Sequence, residues 1–223
     1  MTQTSSRPQR IGIFGGSFNP IHKGHLLAIE RFLVSLDLDK VVLVPTGYSF
    51  YKQDRSVSFE DRFRMCKLAV ESVPGVEVCD IERNQKQGMY SCDMVKGIRE
   101  KYPHAHLFFL MGGDVFEHIC LWKGIHVLAQ SVDFAVIERN GEDRAQTHKR
   151  ITQAVADYLK FFGAQTYFVD IGKEMSSTDI RERIRRNLPT DEYLTESVAG
   201  YIRVGDLYAS MEPRKEVKEK WQL

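Results

Sequence analysis

The sequence lacks any apolar run approaching the roughly 18 residues of a membrane span, and its start, MTQTSSRPQR, is polar, without the apolar stretch of a secretory signal. These absences predict a cytoplasmic protein with no membrane partner. Cysteine is sparse: Cys66, Cys79, Cys92 and Cys120 form no CxxC pair, and no histidine stands at zinc-finger spacing from them. They are expected to be reduced thiols, several of them in the core. Charge excess is missing too. With 31 Lys plus Arg against 30 Asp plus Glu, the chain has no net field for a nucleic-acid partner. Internal repeats and low-complexity tracts are likewise absent, which leaves out solenoids and long linkers.

What the chain does have is alternation. The runs RIGIF (10–14), KVVLVP (40–45), HLFFLMG (106–112), VDFAVIE (132–138), TYFVD (166–170) and, more weakly, VEVCDI (76–81) read as strands covered on both faces. Helical spacing separates them. It joins Leu26, Ile29, Leu33 and Leu36, then Phe59, Phe63, Cys66 and Val70 behind the start signal Ser58-x-x-Asp61. Further helical patterns cover 91–101 and 143–162, and a last one aligns Ile180, Ile184 and Leu188. At 223 residues and 43% apolar content, there is enough apolar mass for one substantial core. The expectation is an α/β fold: a Rossmann-like, doubly wound parallel sheet in a single domain over 10–210. A flexible N-terminus (1–9) and a mixed-charge tail (211–223) flank it. Ligands of such sheets bind at the carboxyl ends of the strands, near the switch in winding.

The stretch GGSFNPIHKGH, Gly15 to His25, falls at that end of the first strand. It contains neither GxxxxGK[ST] nor GxGxxG. It offers a Gly15-Gly16 turn whose backbone can approach a ligand, then Ser17, a bend at Pro20, and His22 and His25 around a helix start near Gly24. Free amides at a helix start favour an anion. Two imidazoles three residues apart can both donate to phosphate oxygens, and one of them, protonated, would stabilise developing charge. No third Cys, His or carboxylate stands at ligand spacing, so no metal site is expected.

A second dense stretch, EMSSTDIRERIRRN (174–187), crowds Ser176, Ser177, Thr178 and Asp179 at another helix start, with Asp179 and Glu182 spaced as a capping box. One cap residue is enough for a helix. Three hydroxyls with Arg181 in the first turn exceed that need, and with the amides they compose a polyphosphate cradle.

Together, GGSFNPIHKGHL and SSTDIR resemble the paired HxGH and SSTxIR motifs of the nucleotidylyltransferase family, over roughly residues 10–209. Within it the chain is similar to the bacterial branch that adenylylates nicotinate mononucleotide. MYSCDMV matches that branch's SYTVDTL segment, and Gly112-Gly113-Asp114 with Trp122 matches its GAD segment. Arg139 matches its arginine after a strand, and Tyr201-Ile202 with Leu207-Tyr208 its ending. The resemblance implies transfer of the adenylyl group of ATP to nicotinate mononucleotide, with Mg2+ accompanying ATP and both substrates small molecules. It implies catalytic roles for His22, His25 and Arg181, and ATP contacts from Gly15, Gly16, Ser17, Phe18, Gly112, Asp114, Ser177 and Thr178. Mononucleotide contacts would come from Asn19, Lys52, Tyr90, Ser91, Trp122 and Arg139. Taken alone, an aromatic such as Tyr90 or Trp122 more often packs in a core.

The chain departs from the pattern in places. The family's PPHK loop reads Ser49-Phe50-Tyr51-Lys52, its HR pair reads Asp61-Arg62, and Asn19 stands where Asp is common. The alternatives at this level are another adenylyl- or cytidylyltransferase of the family, such as one with nicotinamide mononucleotide or phosphopantetheine as acceptor, a non-catalytic adenylate-binding module, and a plain structural α/β domain. Whether the chain is a monomer or a homo-oligomer is equally open.

Overall fold

The computed structural model describes residues 7–47, 57–85, 88–138, 145–172 and 175–209. Six strands form one sheet: β1 (Arg10–Gly16), β2 (Lys40–Pro45), β3 (Val76–Val78), β4 (His106–Gly112), β5 (Asp133–Glu138) and β6 (Thr166–Asp170). All pairings are parallel, in the order β3-β2-β1-β4-β5-β6. The chain winds outward from β1 through β2 to β3, returns to β4 beside β1, and winds the other way. The switch therefore lies between β1 and β4. Every expected strand is present, the weak VEVCDI run as the short edge strand β3. Gly15 and Gly16 form no turn: they continue β1, opposite Val44 and Pro45.

The helices are α1 (Lys23–Ser35), α2 (Phe59–Val70), α3 (Ser91–Lys101), α4 (Gly113–Phe116), α5 (Ile125–Ser131), α6 (Ala145–Lys160), α7 (Ser177–Arg185) and α8 (Glu196–Val204). Successive strand residues point to opposite faces, so the sheet feeds two cores. Ile11, Ile13, Val42, Val44, Phe109, Phe134 and Val136 pack with α3, α5 and α6. Phe14, Val41, Leu43, Phe108, Leu110 and Ala135 pack with α1, α2, α7 and α8. Apolar side chains buried this way contribute about 1.5–3 kcal/mol each. The stretch after 195 covers its own core, burying Val198, Ile202 and Tyr208.

Several helix faces differ from the expected spacing. α1 buries Ala28, Ile29 and Phe32, while Leu26 and Leu33 are only partly covered. On α2, Phe59 and Phe63 stand at the margin, stacked at 5.8 Å with the Arg83 guanidinium 4.9 Å over Phe63. Cys66 and Val70 are buried as expected, joined by Arg62, Met65 and Ala69. Leu188 lies beyond the end of α7 and is exposed. Of the four cysteines only Cys66 is fully buried, and Cys120 is exposed. Among the described residues no helix is long and apolar enough to cross a membrane.

Candidate active site

At the carboxyl end of β1 the chain turns through Ser17 to Ile21 and enters α1. His22 is the N-cap, in extended conformation. Its Nδ1 accepts from the His25 amide at 3.3 Å, and His25 Nδ1 accepts from the His22 amide at 3.2 Å. This is a capping box whose two members are both imidazoles. The rings stack at 3.6 Å between centroids. Gly24 is closely packed between the His22 ring and Met175, just before α7: a Cβ there would lie 3.0 Å from both His22 Nδ1 and Met175 Cβ. Gly16 is closely packed in a similar way, since its Cβ would meet the Phe18 ring at 2.9 Å.

The electrostatics of the pair correct the expectation of an imidazolium. Burial pulls His22 down from 6.5 to about 4. Burial also holds His25 well below its ordinary value, and the neighbouring His22 adds to the effect. His25 packs edge-on to Phe18 and Phe14, 5.1 and 6.1 Å between centroids. Both imidazoles are therefore neutral near pH 7. Because each Nδ1 accepts from an amide, each ring carries its proton on Nε2, where it can donate.

The second motif does come to the first. Ser177, at the start of α7, donates from its hydroxyl to the Pro20 carbonyl at 3.0 Å, across 157 residues of sequence. Arg181 is buried and donates to the Asn19 carbonyl at 2.7 Å and to Thr178 Oγ1 at 3.2 Å. Instead of an open cradle, these two side chains clasp the histidine loop. The Asp179 and Glu182 capping box does not form: Ser176 is the N-cap and accepts from the Thr178 amide at 3.2 Å. Phe18 and Asn19 are also not open to a ligand through their side chains. Phe18 is 2% exposed and belongs to the core, and the Asn19 side chain, 7% exposed, accepts from the Tyr208 hydroxyl. Ser17 remains partly open, its carbonyl taken by Arg62 at 2.8 Å.

On the other face of the sheet, α3 begins at Ser91 with Tyr90 as its N-cap residue. Trp122 lies edge-on to Phe109 of β4, 6.0 Å between centroids, half-buried against that core. Lys123 stands 4.4 Å over the exposed Tyr90 ring, and its carbonyl accepts from Cys92 Sγ at 3.6 Å. The structure thus brings the Tyr90–Ser91 and Trp122 segments together. Gly112 ends β4 beside β1, and a Cβ on it would lie 2.7 Å from the exposed Asp114 carboxylate. Lys52 and Arg139 lie outside the described residues.

Comparison with known proteins follows this geometry. A family model described as cytidylyltransferase-like matches residues 13–183, from within β1 to α7. The chain belongs to the cytidylyltransferase-like family. A Desulfitobacterium hafniense protein named "probable nicotinate-nucleotide adenylyltransferase" is 36% identical, covering 90% of this chain and 96% of that protein. A Corynebacterium kroppenstedtii protein of the same name is 33% identical over 92% and 94% of the two chains. The nicotinic acid mononucleotide adenylyltransferase of Plasmodium falciparum, solved in complex with NaAD, has the same fold. It superposes with a TM-score of 0.69 at 20% identity, over 90% of this chain and 97% of that one.

The structure gives partners to residues that the sequence matched to the family without assigning them a role. Arg62, the remnant of the HR pair, is buried and holds Ser17; its charge on the apolar stripe of α2 was the available signal. Ser58 caps α2 by accepting from the Asp61 amide at 3.1 Å, the start expected there, and the Asp61 carboxylate accepts from the Tyr201 hydroxyl at 2.9 Å. Tyr208, matched in sequence only as part of the ending, reaches Asn19 from the other end of the chain.

Proposed function

We infer that this chain transfers the adenylyl group of ATP to the 5′-phosphate of nicotinate mononucleotide, forming nicotinate adenine dinucleotide and pyrophosphate. The observation that carries the reading is the meeting of the His22–His25 capping box with the start of α7 at the carboxyl end of β1. The names of relatives sharing 33–36% identity over nine-tenths of the chain support the choice of substrates.

A phosphate oxygen of the mononucleotide attacks the α-phosphorus, and the bond from that phosphorus to the β-phosphate bridging oxygen breaks. The nucleophile is already an anion, so no base has to remove a proton, and the barrier falls through alignment and charge stabilisation. Neutral His22 and His25 serve as Nε2 donors to the phosphate oxygens, His25 toward the α-phosphate where charge develops. Gly15 and Gly16 let the triphosphate approach the strand end. The amides at the start of α7, with Ser177, Thr178 and Arg181, face the leaving β- and γ-phosphates. Gly112 and Asp114 border ATP at the end of β4. Tyr90, Ser91 and Trp122 receive the pyridine end, Lys52 and Arg139 the mononucleotide phosphate, and Asn19 shapes the loop between the two substrates. Among the described residues no three His, Cys, Asp or Glu side chains group as a metal cage. Mg2+ would accompany ATP and screen the charge of its phosphates.

The test is pyrophosphate release from ATP with nicotinate mononucleotide, nicotinamide mononucleotide or phosphopantetheine supplied in parallel. The fastest release is expected with nicotinate mononucleotide. No release with either pyridine nucleotide would overturn the assignment.

A further inference from the structure

Tyr208 lies four residues beyond α8, yet its hydroxyl donates to Asn19 Oδ1 at 2.6 Å, inside the loop that leads to His22. Both residues are almost completely buried, at 3% and 7% exposure. A phenylalanine would fill the same space, and a buried hydroxyl is costly unless paired. The backbone adds a second sign. Tyr208 has φ +72, the left-handed region that a bulky side chain occupies only where its surroundings fix it, and Phe18, next to Asn19, has φ +43.

The loop is gripped all round. Arg62 holds the Ser17 carbonyl, Arg181 the Asn19 carbonyl, and Ser177 the Pro20 carbonyl. The Lys23 amide, one residue past His22, donates to the Tyr193 carbonyl at 2.8 Å. Those four bonds fix the path of the backbone. The Tyr208 hydroxyl adds a bond to a side chain of the loop, and so sets how Asn19 is turned three residues before His22.

We propose that Tyr208 is a positioning residue for the adenylyl transfer: through Asn19 it holds the loop so that the Nε2 donors of His22 and His25 face the phosphates. This rests on the reading of those histidines as phosphate donors. Misplacing a catalytic group by a fraction of an ångström lowers turnover without removing the contacts that bind substrate.

The experiment compares Tyr208→Phe, Asn19→Ala, the double variant, and Tyr201→Phe as a control whose lost hydroxyl serves Asp61 on α2 instead of the loop. Tyr208→Phe keeps the packed ring and is expected to lower kcat on the order of tenfold while KM for ATP moves less than twofold. Asn19→Ala should reproduce the loss, and the double variant should lose no more than either alone. Tyr201→Phe should leave kcat unchanged. Nitrogen-15 spectra of the His22 and His25 rings, recorded without substrate, should shift in Tyr208→Phe and not in Tyr201→Phe. Unchanged kcat in folded Tyr208→Phe, additive losses in the double variant, or unmoved histidine spectra would each overturn the proposal. The spectra keep the two readings apart: wild-type protein that releases no pyrophosphate, with histidine rings that still respond to Tyr208→Phe, would sink the proposed reaction and support the positioning.

Discussion

Lowering the pH from 7 to 5 should destabilise this protein through two residues. His22 is held neutral by burial, with its value pulled from 6.5 to about 4, and burial holds His25 well below its usual range. Below pH 6.5 the unfolded chain takes up protons that the folded chain refuses, so stability falls as pH drops. For His22 the loss ends only as the folded ring itself titrates near pH 4. At about 1.4 kcal/mol per pH unit, keeping the His22 ring neutral at pH 5 costs about 2 kcal/mol, and His25 adds to the loss in the same direction. That is a large part of a typical domain's 5–15 kcal/mol. The assay is urea unfolding at pH 7, 6, 5.5 and 5, on the wild type and on a variant carrying His22→Asn with His25→Ala. Asn keeps an N-cap acceptor but does not titrate. The other histidines are common to both proteins, so the difference in slope belongs to the pair. Equal slopes for the two proteins over this range would refute neutral burial of these rings.

Three further outcomes follow from the same geometry. His25→Ala should lower kcat by about 10²-fold or more, the effect of losing one preorganised donor, while ATP binding measured by titration calorimetry changes little; equal losses in both would remove His25 from catalysis. Arg62→Met should cost about 2–3 kcal/mol in chemical denaturation, because the buried Ser17 carbonyl loses a charged donor, and a loss below about 0.5 kcal/mol would show that the bond contributes little. Burial alone would raise Glu77, but hydrogen bonds from Lys101, Tyr102 and Lys40 outweigh it and bring the group down to about 2. Glu77→Gln should therefore cost about 1 kcal/mol at pH 6, and the gap from wild type should close as pH falls from 4.5 toward 2; a gap that stayed constant would contradict the ion cluster.

The strands were readable because parallel strands buried on both faces must be almost continuously apolar; right-handed crossovers fix the face on which each helix packs, whereas the strand order came from the structure. The two candidate site motifs were readable for a different reason: glycine, histidine and clustered hydroxyls at helix starts are improbable without a ligand or a cap to justify them. The individual roles were less readable. Ser177 and Arg181 have the donors a phosphate needs, but they spend hydrogen bonds on the Pro20 and Asn19 carbonyls. Phe18 looks like part of a ligand loop and is a core residue with left-handed backbone. Such distinctions depend on which partner lies within 3 Å in the folded chain, and the partners of Asn19 and Ser17 are supplied from 189 and 45 residues away.

The spacing of His22 and His25 acquires a structural cause from the capping box. Positions N-cap and N3 of a helix are three residues apart, and a Ser with a Glu there would satisfy the same two amides. Imidazole differs in having a second nitrogen. Once Nδ1 has accepted from the backbone, the neutral ring must present Nε2–H on its far side, so one side chain caps the helix and also offers a donor of fixed direction. A serine hydroxyl cannot do both along a rigid axis. The third residue, Gly24, leaves room for the His22 ring against Met175. His22→Ser should therefore separate the two duties: helix α1 keeps its cap, stability at pH 7 changes by less than about 1 kcal/mol, and turnover falls with the lost Nε2 donor. A variant that lost stability and activity in proportion would mean that capping alone explains the histidine.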